Sequence, residues 1–248
     1  MFRDLIYDPD DDFPIPETFL DVPYVPSDDE VVEAMLKLAG VGPKDLLYDL
    51  GSGDGRIVIA AAKRHGARAI GIEMDPLRIA DAMEYAGDEG VECQVDFLEE
   101  DLFDTDLSPA TVVTMYLLES INAQLRPRLL ETLRPGSRII SHAFDMGNWQ
   151  PDQCMRLNGA TIYKWVVPAH VAGTWQWAGA DGTPYQATLQ QHYQEITGEA
   201  QADGAPAELQ NARLEGATLS LELHLESGQV KHFTLSFADG ALISAIEH

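Results

Sequence analysis

The apolar positions of this chain follow two periods in turn. From residue 27 to 167 short continuous apolar runs alternate with spaced stripes, and after Pro168 apolar and polar residues alternate one by one. Ser27 followed by DDEVVEAMLKLAG carries apolar residues at Val31, Ala34, Met35 and Leu38, the spacing of one helix face. Ser27 is placed to cap that helix and Glu30 to complete a capping box, with Gly40 or Gly42 ending it before Pro43. DLLYDL, ARAIGIEMD, VECQVDFL, TVVTMYLL and SRIISHAF then read as strands. RIVIAAAKRHG, PLRIADAMEYAGDEG and ESINAQLRPRLLETL read as helices, the last interrupted or begun again near Pro127. QCMRL and ATIYKWVV form a closing hairpin through Asn158-Gly159. EEDLFDTDLSPA, between the third and fourth strands, is too short and polar for a helix. The alternation predicts an α/β fold, a mostly parallel sheet covered on both faces and ending in an antiparallel hairpin.

In the second regime, Leu219, Leu221, Leu223 and Leu225 share one strand face, as do Phe233, Leu235 and Phe237. AGADGTPY, ADGAPAE, ESGQ and ADGA mark turns, and Trp175 and Trp177 read as core. This predicts a small antiparallel all-β sheet or barrel of five or six strands. Residues 1–26, with five prolines and the cluster DPDDDFP, read as an extended arm. Three parts are expected: the arm 1–26, an α/β domain 27–167 and an all-β domain 168–248.

Charge alters this picture more than composition does. Sixteen basic against 41 acidic side chains give a formal net of −25, which repels phosphate backbones and disfavours a grip on nucleic acid. Such a surface attracts cationic partners, although adaptation to a salty cell accounts for it equally, since only five residues are lysine. No apolar run is long enough to span a bilayer, and MFRDLIYDPDDDFP lacks the pattern of a secretory signal. Cys93 and Cys154 have no metal-ligand spacing and read as core thiols of a cytoplasmic protein.

The segment DLGSGDG places Gly51, Gly53 and Gly55 between the first strand and the first helix of the alternating region. Backbone N–H groups at such a turn face a ligand at the edge of an open sheet. The spacing is one residue tighter than a dinucleotide turn, and Asp49 and Asp54 set negative charge where a pyrophosphate would lie. That arrangement suits a cation, and S-adenosylmethionine carries a sulfonium and an ammonium. Glu73, at the end of the second strand, is placed to accept ribose hydroxyls, with Asp75 as a helix cap before Pro76. Asp101 is placed to accept the adenine amino group, with Leu102 against the ring.

With these residues assembled, the chain resembles the class I, seven-strand S-adenosylmethionine-dependent methyltransferases over about residues 20–167. VPYVPSDDEVVEAML, LLYDLGSGDGRIVIAAA, GIEMD, MYLL and RPGSRIISHAFDM with Trp149 are similar to one small family within them. Its characterised members are lysine methyltransferases of the ATP synthase c-subunit and the adenine nucleotide translocase. The resemblance implies a Rossmann-like seven-strand sheet. It implies that Tyr24, Val25, Pro26 and Ser27 close over the methionine end of the cofactor, and that Asp49, Gly51, Ser52, Gly53 and Gly55 form the loop. Glu73 would meet the ribose and Asp101 the adenine, while Met115, Tyr116 and Leu117 stand where the methyl group is transferred. No Asn-Pro-Pro-Tyr or Asp-Pro-Pro-Tyr follows the fourth strand, which disfavours amide methylation of that kind. The resemblance does not reach residues 169–248.

The expected reaction is in-line methyl transfer to a lysine of a basic or lysine-presenting protein, helped mainly by positioning. A lysine must first lose a proton, and an apolar aromatic pocket beside a sulfonium lowers its pKa. Tyr116, Phe144 and Trp149 are the candidate walls, His142 and Asp145 the candidate polar contacts, and Glu119 a helix cap. The alternatives are a small-molecule N- or O-methyltransferase and a non-catalytic cofactor-binding module.

Overall fold

The computed structural model describes residues 25–248, so the arm and Tyr24 lie outside the described residues save for Val25 and Pro26. Two seven-stranded sheets follow one another along the chain. The first is built from α1 (Asp29–Ala39), β1 (Leu46–Leu50), α2 (Arg56–His65), β2 (Arg68–Glu73), α3 (Pro76–Asp88), β3 (Val95–Glu99), β4 (Val112–Met115), α4 (Glu119–Thr132), β5 (Arg138–His142), β6 (Gln153–Leu157) and β7 (Ala160–Val166). Its order is β3-β2-β1-β4-β5-β7-β6, with β1 to β5 parallel and the β6–β7 hairpin antiparallel. Alternate side chains of each strand go to opposite faces. Val112, Ile140 and Ile162 pack with α1, α2 and part of α3, whereas Val113, Met115, Ile139 and Trp165 pack with α4. Both faces are therefore buried, which explains the continuous apolar runs.

Local signals place most element ends. Asp75 accepts the Leu77 N–H and Pro76 occupies the first helical position of α3. Gly40, at φ 66°, ends α1. Asn158 and Gly159, both at positive φ, turn β6 into β7. No helix forms between β3 and β4.

Five expectations about α1 and α4 are corrected. Ser27 does not cap α1: the cap position is Asp28, without a side-chain cap bond, and the Ser27 hydroxyl lies 2.8 Å from His142 Nδ1. Glu30 accepts from Asn158 Nδ2 across to the hairpin instead of closing a capping box. The α1 stripe is centred on Val31, Val32, Met35, Leu36 and Ala39, with Ala34 and Leu38 at its edge. And α4 runs through Pro127 as one helix. Glu119 lies in its first turn, but the cap position is Leu118 and no side chain caps it.

The second sheet comprises β8 (Gly173–Ala178), β9 (Pro184–His192), β10 (Glu195–Ala202), β11 (Ala205–Glu215), β12 (Thr218–Leu225), β13 (Val230–Ala238) and β14 (Ala241–Glu247). Each strand pairs antiparallel with the next, giving seven strands where five or six were expected. Leu219, Leu221, Leu223, Phe233, Leu235 and Phe237 share its buried face. Trp175 sits edge-on to Phe237 and donates to Val171 O, and Trp177 stacks on Tyr185. No ladder joins β8 to β14 among the described residues, although the Ala180 N–H donates to Glu247 Oε2 at that gap. Both cysteines are exposed and free rather than buried.

Candidate active site

β1 sits where the sheet's order reverses, with β2 on one side and β4 on the other, and such a switch point opens a crevice at the strands' carboxyl ends. The glycine turn fills this place. Gly51 and Ser52 donate to Ile72 O at 2.9 and 3.0 Å, and the Gly53 N–H donates to Glu73 Oε2 at 2.8 Å. Gly51, Gly53 and Gly55 have φ of 72°, 53° and 76°, a region other residues occupy only with strain. A side chain at Gly51 would meet Leu117 Cδ2 at 3.0 Å, and one at Gly55 the Phe97 ring at 2.7 Å. Gly71, to which the sequence pattern gives no prominence, has the same role: a Cβ there would lie 2.5 Å from Ser52 Oγ.

Around this turn lies a cleft of about 1010 Å³, open mouth included. Val25, Pro26 and Ser27 border it on one side, and Asp49, Gly51, Ser52 and Gly53 form its floor. Glu73, Asp101, Leu102, Tyr116 and Leu117, also expected, line it as well. Arg56, Arg78, Phe103 and Ile121 also line it and were not foreseen. Gly55 is absent from the lining and serves packing against Phe97 and Ala82. Met115 is likewise absent, fully buried beneath the sheet.

The acids divide into two kinds. Asp49 is buried and accepts from Thr114 Oγ1 at 2.7 Å. Desolvation pushes its pKa up to about 7, opposed by the Thr114 bond and reinforced by the charges of Glu73 and Asp54. Asp54 instead pairs with Arg56, through Nε at 2.9 Å and Nη2 at 2.6 Å. Arg56 Nη1 also donates to Ser27 O at 2.7 Å, lashing the 25–28 strap to the glycine turn. Glu73 Oε1 accepts from the Met74 and Asp75 N–H groups, and Asp101 Oδ1 from the Phe103 N–H.

A second cavity adjoins the first and shares Pro26 and Tyr116 with it. His142, Ala143, Asp28 and the Asn158–Ala160 turn line it. The Tyr116 and His142 rings lie 3.9 Å apart, and Phe144 flanks Tyr116 at 6.4 Å. Burial lowers the His142 pKa, opposed by the charge of Asp28, which favours the neutral imidazole less than burial alone would. Phe144, Asp145 and Trp149 line neither cavity. Asp145 Oδ1 accepts from the Gly147 N–H, and Trp149 is wholly buried, donating to Gln194 Oε1.

Comparison with known proteins decides the family. The family described as ANTKMT methyltransferase domain matches residues 49–153. A protein-lysine N-methyltransferase of Saccharolobus islandicus is 40% identical over 154 residues, 60% of this chain and 96% of that protein. The chain belongs to this methyltransferase family. An adenine nucleotide translocase lysine N-methyltransferase of Mus musculus is 35% identical, over 62% of this chain and 66% of that protein. A crystal structure described as an RNA methyltransferase from Salinibacter ruber, in complex with S-adenosyl-L-homocysteine, is 53% identical with a TM-score of 0.58. It aligns with 59% of this chain and 96% of its own.

The methyltransferase is an enzyme of the S-adenosylmethionine-dependent class, and its cleft suits that cofactor. Asp49, its pKa pushed up to about 7, lies on the lining where a cation would favour its carboxylate, and glycine keeps the floor clear of side chains. No helix among the described residues is long and apolar enough to cross a membrane.

Proposed function

We propose that this methyltransferase transfers a methyl group to the amine of a protein lysine. The observation that carries the reading is the meeting of two cavities at Tyr116, one acidic and glycine-floored, the other lined by the His142 imidazole. The lysine specificity in the names of the Saccharolobus and mouse relatives supports it.

Asp49, Gly51, Ser52 and Gly53 would hold the methionine part, Glu73 the ribose, and Asp101 with Leu102 the adenine, while Val25, Pro26 and Ser27 cover them. When bound, S-adenosylmethionine supplies an electrophilic methyl group on a sulfonium. The chain's own task is then to bring a neutral amine in line. Tyr116, flanked by Phe144, gives the amine an apolar wall that favours its uncharged form. His142 Nε2 can receive the lost proton in the tautomer whose Nδ1 carries the hydrogen and donates to Ser27 Oγ, an arrangement the 2.8 Å contact admits. Asp145 acts at a distance, by shaping the loop after β5. Residues 27–167 carry the chemistry and 168–248 form the second unit. The two exposed thiols fit a reducing, cytoplasmic setting.

The description of the Salinibacter structure favours a second reading, with RNA as acceptor. The net charge of −25 opposes it. Incubation with methyl-labelled S-adenosylmethionine and separate host protein and RNA fractions tests both. Label in protein, mapped by mass spectrometry to lysine, is expected; label in RNA alone overturns the proposal.

A further inference from the structure

The segment after β5, residues 144–150, stacks Phe144 near Tyr116, ring centroids 6.4 Å apart and outside the lining of either cavity, and its backbone is held from two directions. From within, Asn122 Nδ2 donates to Phe144 O and Asp145 O, and Ser141 Oγ donates to Phe144 O. From below, the grip comes from the second sheet. The turn joining β9 to β10 consists of Tyr193 and Gln194. Gln194 Nε2 donates to Gln150 O at 2.7 Å, and its Oε1 accepts from Trp149 Nε1 at 2.8 Å. Tyr193 stacks on Trp149 at 5.7 Å and donates through its hydroxyl to Asn148 Oδ1 at 3.1 Å. Arg126 of α4 closes the cluster, lying over the Tyr193 ring and donating to Met146 O and Asn148 Oδ1.

Tyr193 takes a φ of 55°, a conformation that suits Gly or Asn and strains a bulky aromatic. A tight turn needs no tyrosine there. Such strain persists where surrounding contacts over-determine it. Beyond the adjacent His192, the Tyr193 side chain meets Asn148, Trp149 and Arg126 and packs against the core cluster around Trp149. We propose that the Tyr193–Gln194 turn is a positioning element for the methyl-acceptor side of the site. It clamps residues 144–150 and thereby fixes Phe144 against Tyr116, so the second sheet belongs to the catalytic architecture. The proposal rests on the reading that the acceptor enters beside Tyr116 and His142.

Tyr193→Gly relieves the local strain while removing the clamp, so it separates positioning from stability. Gln194→Ala removes both amide bonds, and Tyr193→Phe keeps the stack but loses the hydroxyl bond. The readouts are amide exchange at residues 144–150, S-adenosylhomocysteine affinity by calorimetry, and the initial rate of label transfer into host protein extract at saturating S-adenosylmethionine. Tyr193→Gly and Gln194→Ala are expected to speed exchange and to slow transfer, each by about tenfold, with cofactor affinity within about twofold of wild type. Tyr193→Phe should recover most of both. Unchanged exchange at 144–150, or cofactor affinity falling in step with transfer, overturns the proposal. Exchange is read without any acceptor, so a wild-type chain that labels no lysine refutes the lysine reading and leaves exchange to decide this one.

Discussion

Asp49 shows how one buried group can oppose folding and favour binding. Its carboxyl has an ordinary pKa of 3.8 in the unfolded chain and about 7 in the fold, so the folded chain holds a proton that the unfolded chain gives up. Below the lower value the group costs nothing. As pH rises from about 4 to 7 the cofactor-free fold loses stability, by roughly 4 kcal/mol at about 1.36 kcal/mol per pKa unit. A cation in the cleft reverses this by favouring the carboxylate. We expect binding of S-adenosylhomocysteine to release a proton near pH 6, seen as a buffer-dependent calorimetric heat, and affinity to rise with pH up to about 7. Asp49→Asn should raise the melting temperature of the free protein at pH 8, weaken cofactor binding more than about tenfold, and abolish the proton release. A variant that binds and melts like wild type at every pH removes Asp49 from the site. Gly55 makes a contrasting case of pure packing. Its φ of 76° and the Phe97 ring 2.7 Å from any Cβ predict that Gly55→Ala destabilises by about 2–4 kcal/mol, read as a drop in melting temperature.

At the scale of elements, the strap formed by residues 25–28 ties α2 to β5 and borders the site: Ser27 O meets Arg56, Ser27 Oγ meets His142, and Pro26 lines both cavities. Ser27→Ala removes one of these ties. Loss of a single hydrogen bond of about 0.5–1.5 kcal/mol predicts cofactor binding weaker by about threefold to tenfold. It also takes the hydroxyl away from His142 Nδ1, so the acid limb of the pH–rate profile should shift relative to wild type. An identical profile would mean that the Ser27–His142 bond has no part in proton handling. The strap also marks the limit of what neighbouring residues encode. Strands, hairpin and glycine turn are legible because each is written locally: in alternation, in Asn158-Gly159, and in three glycines at alternate positions. The destination of the Ser27 hydroxyl is not, because its partner lies 115 positions away and a serine before a helix ordinarily caps it. Asp54 departs from expectation for a nearer reason. Its partner, Arg56, stands two residues on in GDGR, and a local pairing check would have found it. Trp149 looks like a pocket wall because it follows a strand end, but the second sheet folds beneath that loop and buries it.

For the molecule as a whole, the question is what a net charge of −25 does. Two physical effects of salt act here and are separable. Screening relieves the self-repulsion of a crowded acidic surface, so the melting temperature should climb between about 0.05 and 1 M salt whatever the acceptor. Screening also weakens the attraction of a cationic partner, so the KM for a lysine-bearing acceptor should rise over the same range while that for a neutral small amine stays flat. Adaptation to salt alone predicts the first effect without the second. The site itself favours the second as well, since Asp28 stands on the wall of the cavity beside His142, where it faces an approaching ammonium. The carboxylate that draws the lysine in also favours its charged form, so the attraction must act outside and release at the Tyr116 wall. Steady-state assays with a basic peptide and a neutral amine, run from about 0.05 to 1 M salt, distinguish the cases. An increase in KM of more than about tenfold for the peptide alone is the expected result, and a salt-independent KM assigns the acidic surface to solubility rather than to substrate capture.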